Sequence, residues 1–167
     1  MIIGFLFSYI LGFIILFAYI CYIIYKDKRI PMSISATVYS LDWKNKWIYT
    51  IVILASAFLI APLLFEITSA IGIELLAYFT MVGMLGVGVC PLVYGEKNTL
   101  HYGCAILMGV SSQALILFNL PQVLFLWALY VPYTLIWEYS GKNMFFAEMI
   151  MIIGIMLMCI LLWMTLI

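Results

Sequence analysis

Lys26-Asp27-Lys28-Arg29 closes a first stretch, Met1 to Tyr25, that carries no charge at all. Outward from this basic knot, the other lysines fall in alternate gaps between apolar stretches. Lys44 and Lys46 share the first gap, Lys97 lies in the third and Lys142 in the fifth, while the second and fourth gaps hold no basic residue. Basic residues that flank membrane spans stay on the cytoplasmic side. The pattern therefore predicts an all-α polytopic membrane protein with six spans in one antiparallel bundle, both termini outside the cytoplasm. The expected spans are 1–25, 47–66, 74–94, 101–118, 121–138 and 145–166, forming one transmembrane domain. Each has close to the ~20 apolar residues that cross the hydrocarbon core, the fifth only just.

Composition points the same way. The chain is 68% hydrophobic and 8% charged, against about 25% charged residues in a soluble domain. A soluble fold of 167 residues has too little interior to hide that much apolar side chain. Formal net charge is zero, so no basic field invites nucleic acid. The N-terminal stretch has no basic leader region and no small-residue cleavage site, so it is expected to remain as a span. Cys21, Cys90, Cys104 and Cys159 lie inside apolar stretches without C-x-x-C spacing, and there is a single histidine. Neither a metal site nor a cofactor is expected.

The loops are short enough to make successive helices antiparallel neighbours. Only the first, Lys26 to Lys46, has length to spare. In it Pro31 blocks continuation of the first helix. Read as a helix from Ser33, Ile34, Val38 and Leu41 share an apolar face, and Ser33, Thr37 and Ser40 a hydroxyl face. That predicts an amphipathic element lying on the inner leaflet.

Ionisable residues inside spans usually face the bundle interior and a partner. His101 opens the fourth span, and Asp42, Glu96, Glu138 and Glu148 are expected at the same cytoplasmic end. Together with Ser33, Ser35, Thr37 and Tyr39 of the first loop, they form the predicted ligand-binding cluster. A histidine beside carboxylates can move protons or act as a base. If the protein were an enzyme, His101 and Glu148 would carry the chemistry. Glu66 and Glu74 bracket the second loop on the other side and are expected at headgroup level. Gly83, Gly86 and Gly88 in the third span predict close helix packing. Ser111, Ser112 and Gln113 in the fourth can bond across helices or line a polar path, and Pro132 is expected to kink the fifth.

Two short segments carry a resemblance. Pro31-x-Ser33-Ile34-Ser35-x-Thr37-x-Tyr39, followed by His101-Tyr102-Gly103-Cys104-Ala105, resembles short bacterial six-span membrane proteins and is more distantly similar to the DRAM/Frag-like superfamily. The resemblance implies that the first loop docks against the His101 end of the fourth span, and it implies no enzyme activity. The DRAM-like pattern puts that loop on the non-cytoplasmic side, whereas the charges here put it inside.

The leading expectation is a non-enzymatic membrane protein that binds a lipid headgroup or a partner protein at the cytoplasmic cluster. The alternatives are a small-solute or ion transporter or channel, and a lipid-modifying enzyme using His101. Membrane lipids are the expected partners, a homo-oligomer is the route to any pore, and a bacterial inner membrane is the expected location.

Overall fold

A computed structural model describes residues 2–94, 99–136 and 143–166. The described residues form six α-helices joined by short 3-10 segments, with no strand among them. The helices are α1 (Ile2–Asp27), α2 (Lys46–Ser69), α3 (Glu74–Tyr94), α4 (Thr99–Asn119), α5 (Trp127–Ile136) and α6 (Asn143–Leu166). All but α5, five helices, are long and apolar enough to cross a membrane, the mark of a multi-pass membrane protein. The predicted boundaries for these five agree within a few residues.

Successive helices α1 to α4 pack side by side, and α6 returns against α4 and α2. Small residues set how close they come. A Cβ on Gly83 of α3 would stand 2.6 Å from the Met108 amide nitrogen of α4, so only glycine permits that backbone approach. Gly12 of α1 lies similarly against the Ser56 carbonyl of α2, where a Cβ would meet the oxygen at 3.0 Å. Hydroxyl groups then bond across the contacts. Tyr9 donates to the Ile155 carbonyl at 2.8 Å and Thr50 to the Gly88 carbonyl at 2.8 Å, and the hydroxyls of Thr80 and Ser111 meet at 2.9 Å.

The interior has two apolar clusters. One centres on Tyr9, Phe13, Leu63, Leu64, Leu115 and Met158. The other centres on Leu16, Tyr19, Ile23, Val38, Tyr49 and Phe145, at the end of the bundle where the first loop lies.

The fifth expected span is divided. Pro121 opens a 3-10 helix, Pro121–Leu126, which passes directly into α5. Proline supplies a helical φ but no amide donor, which suits an N-terminal position. Pro132 lies within α5, where its ring removes one i→i−4 bond. Glu96 and Glu138, both expected in the cluster, lie outside the described residues.

The first loop departs from the reading as a membrane-surface helix. Its ordered part is a 3-10 helix, Ser35–Ser40, and its apolar face turns into the bundle. Ile34, Val38 and Leu41 are buried within the second core cluster. Thr37, expected on a solvated hydroxyl face, is fully buried. The cause is local. Lys28 ends α1 in the left-handed region at φ 54°, a turn that satisfies helix-end carbonyls. Pro31 then reverses the chain over the bundle, where α6 offers hydrogen-bond partners that a lipid surface lacks.

Candidate functional site

The first turn of a helix has amide donors with no intrahelical acceptor. In α6 one of them, the Phe145 N–H, donates to the Met32 carbonyl at 2.9 Å. One turn further on, Glu148 accepts the Ile34 N–H through Oε2. Two bonds thus strap the Met32–Ile34 segment to α6. The strap is braced from behind. Thr37 Oγ1 donates to the Ile34 carbonyl at 2.5 Å and accepts from the Tyr19 hydroxyl of α1 at 3.0 Å. Ser33 Oγ accepts the Ala36 N–H at 3.0 Å and lies 3.2 Å from Ser35 Oγ. Lys26 Nζ donates to the Ser40 carbonyl at 2.8 Å.

Beneath the strap, where the two core clusters meet, lies a cavity of about 90 Å³. Helices α1, α2, α3, α4 and α6 all contribute to its wall, through residues such as Leu16, Ile53, Met84, Met108 and Ile152. Its lining spans Thr80 to Val87 on α3, Ala105 to Ser112 on α4 and Glu148 to Ile155 on α6. At the α-helical rise that is roughly 10 Å along the bundle, and along α2, from Tyr49 to Leu64, roughly 20 Å. The space is therefore narrow and elongated, with room for a few waters or a short hydrocarbon segment.

Its polar groups are few and mostly committed. Thr80 Oγ1 bonds the Leu76 carbonyl at 2.8 Å, Ser112 Oγ bonds the Gly109 carbonyl at 2.9 Å, and the Tyr49 hydroxyl points to the Val87 carbonyl at 3.4 Å. That leaves Ser35 and Glu148, both at the strap end. Among the described residues Glu148 is the only acidic one in the lining. Its carboxylate accepts the Ile34 amide.

The other predicted residues scatter. His101 is buried, 8% exposed, with its ring 6.0 Å from that of Tyr102. Among the described residues its Nδ1 has no hydrogen-bond partner. Among the described residues no hydrogen bond joins it to a carboxylate, so the acid–base arrangement sketched for an enzyme is not assembled there. His101 falls at helical spacing from Ala105, Met108 and Ser112, one turn beyond the residues of α4 that line the cavity. Tyr39 lies under Lys46, whose Nζ is 5.2 Å from the ring centroid. Asp42 is exposed, and its backbone carbonyl accepts the Asn45 amide at 2.7 Å. Gln113 faces α5 instead of a polar path: its Oε1 accepts the Trp127 indole N–H at 2.8 Å. Glu66 and Glu74 are exposed at the opposite end. The first loop bonds to α1 and α6.

Among the described residues no group of three or more His, Cys, Asp or Glu side chains comes together as a metal site. The cavity itself escapes sequence reasoning, because Ile, Leu, Met and Phe line it as they line any core. Its one readable signal is Glu148, a charge within an apolar run.

Comparison with protein-family models, curated proteins and solved structures finds no match to this chain. Fold and site together define an all-helical, multi-pass membrane protein with an interior apolar cavity closed at one end by a loop and a carboxylate.

Proposed function

We propose that the protein is a six-span, non-enzymatic membrane protein that binds an amphiphilic ligand of the bilayer. The tail lies in the central cavity and the polar head lies under the first loop, beside Glu148 and Ser35. The observation that carries this reading is the cavity: long, narrow, walled by five spans, and apolar but for the strap end and the hydroxyls of Tyr49, Thr80 and Ser112. A water-filled conduction path would need polar groups along its length, and the hydroxyls there bond to backbone carbonyls instead.

The sixth crossing is the 3-10 helix Pro121–Leu126 continued by α5. The steeper 3-10 rise, about 2 Å per residue, brings the pair to about 27 Å, close to the ~30 Å hydrocarbon thickness. With six crossings the basic residues of the first, third and fifth gaps fall on one side, which puts both termini outside and the strap at the cytoplasmic face. A compact, loop-poor chain of this kind suits a bacterial inner membrane.

The test is native mass spectrometry of the protein extracted gently from its membrane, comparing wild type with Ala105→Phe. Ala105 lines the cavity, and a phenyl ring there occupies it. An adduct of lipid-like mass retained by wild type and lost in the variant is the expected result. Equal retention by both would place the lipid on the outer surface and remove the reading.

A further inference from the structure

Among the described residues every Lys and Arg lies at one end of the bundle. Lys26, Lys28 and Arg29 close α1, and Lys44 and Lys46 open α2. The two helices lie side by side, with the rings of Tyr19 and Tyr49 6.1 Å apart near that end. The folded first loop thus gathers five cations on one small surface, against two carboxylates, Asp27 and Asp42. The exposed Glu66 and Glu74 lie at the opposite end. The surface is held in shape. Lys26 Nζ donates to the Ser40 carbonyl at 2.8 Å. Lys28 Nζ lies 4.1 Å from the Tyr25 ring centroid, and Lys46 Nζ lies 5.2 Å from that of Tyr39. Lys26, Lys28, Arg29 and Lys44 are exposed, as are Tyr25 and Trp47, at 73% and 50%. Exposed aromatic rings at span ends sit at the level of the lipid headgroups, so the cations beside them stand at the depth of the phosphates.

We propose that this surface binds anionic phospholipids, with Lys28, Arg29 and Lys44 holding the head phosphates. It is a second lipid site that does not depend on the amphiphile reading above, since none of the five cations lines the cavity. The chemistry selects the head. An ammonium offers three donors and a guanidinium a planar fork, and both make strong charge-assisted bonds to phosphate. Basic residues clustered just beyond a span attract anionic lipid. A zwitterionic head brings its own cation, which offsets most of that attraction. An acidic protein fits less well. Ile34, Val38 and Leu41 of the loop turn into the bundle, so that face offers a protein no apolar anchor, and the exposed rings hold the cations at headgroup depth.

The experiment is native mass spectrometry of the full chain in a neutral detergent, offered phosphatidylglycerol and phosphatidylcholine in equal amounts with identical acyl chains. Wild type is compared with a neutralised variant, Lys28→Gln with Arg29→Gln and Lys44→Gln. A charge-keeping variant, Lys28→Arg with Arg29→Lys and Lys44→Arg, is the control. One cation at a membrane surface changes affinity for anionic lipid by about fivefold. Wild type is expected to retain phosphatidylglycerol about tenfold over phosphatidylcholine. The charge-keeping variant keeps that preference and the neutralised variant loses most of it. Raising the ionic strength lowers the preference in wild type, because exposed charges are screened. That arm reads the same charge effect should the neutralised variant fail to fold. Equal retention of the two lipids by wild type overturns the proposal. So does a preference that survives neutralisation or ignores ionic strength, which would place the lipid elsewhere on the bundle.

Discussion

The backbone amide of Ile34 donates to the side-chain carboxylate of Glu148, joining the first loop to the sixth helix across 114 residues of chain. This bond joins Glu148, a charged residue of the cavity lining, to the loop that covers the cavity. Much of the behaviour expected of the protein follows from it.

Removing the acceptor frees the strap. Glu148→Ala leaves the Ile34 N–H unpaired near the bundle interior, and hydrogen bonds to charged groups contribute about 1.5–3 kcal/mol. Glu148→Gln retains an acceptor and keeps most of that stability. Unfolding in detergent, with hydrogen exchange at residues 32–41, checks both variants. The expected result is faster exchange of the Ile34 amide in the alanine variant alone.

Thr37 braces the strap through two hydroxyl bonds, to the Ile34 carbonyl and from Tyr19. Thr37→Val preserves shape and removes both. Exchange over Ser33 to Ser40 should rise, while α3 and α4 remain protected. Uniform loss of protection across the bundle would mean that the loop is part of the global folding unit.

Glycines on α3 and α4 differ sharply in what surrounds them. At Gly83 an added methyl group meets the α4 backbone, whereas at Gly103 it meets nothing within 4 Å. Gly83→Ala should destabilise by several kcal/mol, the scale of core overpacking at about 1–3 kcal/mol or above. Gly103→Ala should leave stability unchanged or raise it slightly. Midpoints of unfolding in the same detergent test the contrast.

Interhelical hydroxyl bonds should matter less. Thr50→Val removes the bond to the Gly88 carbonyl and keeps the shape. Such bonds average about 0.6 kcal/mol in membranes, so a shift of that order is expected. A loss as large as that of Gly83→Ala would mean that polar bonds, not close packing, dominate the α2–α3 contact.

Much of the fold is legible from hydropathy because a span must be long, apolar and internally hydrogen-bonded. The Ile34, Val38 and Leu41 face is legible from spacing, but what it packs against is not. Lipid and protein core are equally apolar, and the choice is made by Phe145 and Ile34 amides that carry no sequence signal. Pro121 and Pro132 announce an irregular fifth helix without revealing its 3-10 start. At the site, Glu148 stands out as a charge among apolar residues. Gln113 stands out equally and yet faces Trp127, since neighbours across helices depend on rotation that composition does not encode. The cavity is invisible in sequence because it is a shape made by five helices together.

The most direct test of the central claim is a structure determined in a lipid bilayer at a resolution that shows bound lipid, inspected between Glu148 and Leu64. An elongated density filling the cavity, with its head against Glu148 and Ser35 beneath the strap, is the predicted result. A cavity collapsed by its own side chains, with lipid only around the outer perimeter, would contradict the account.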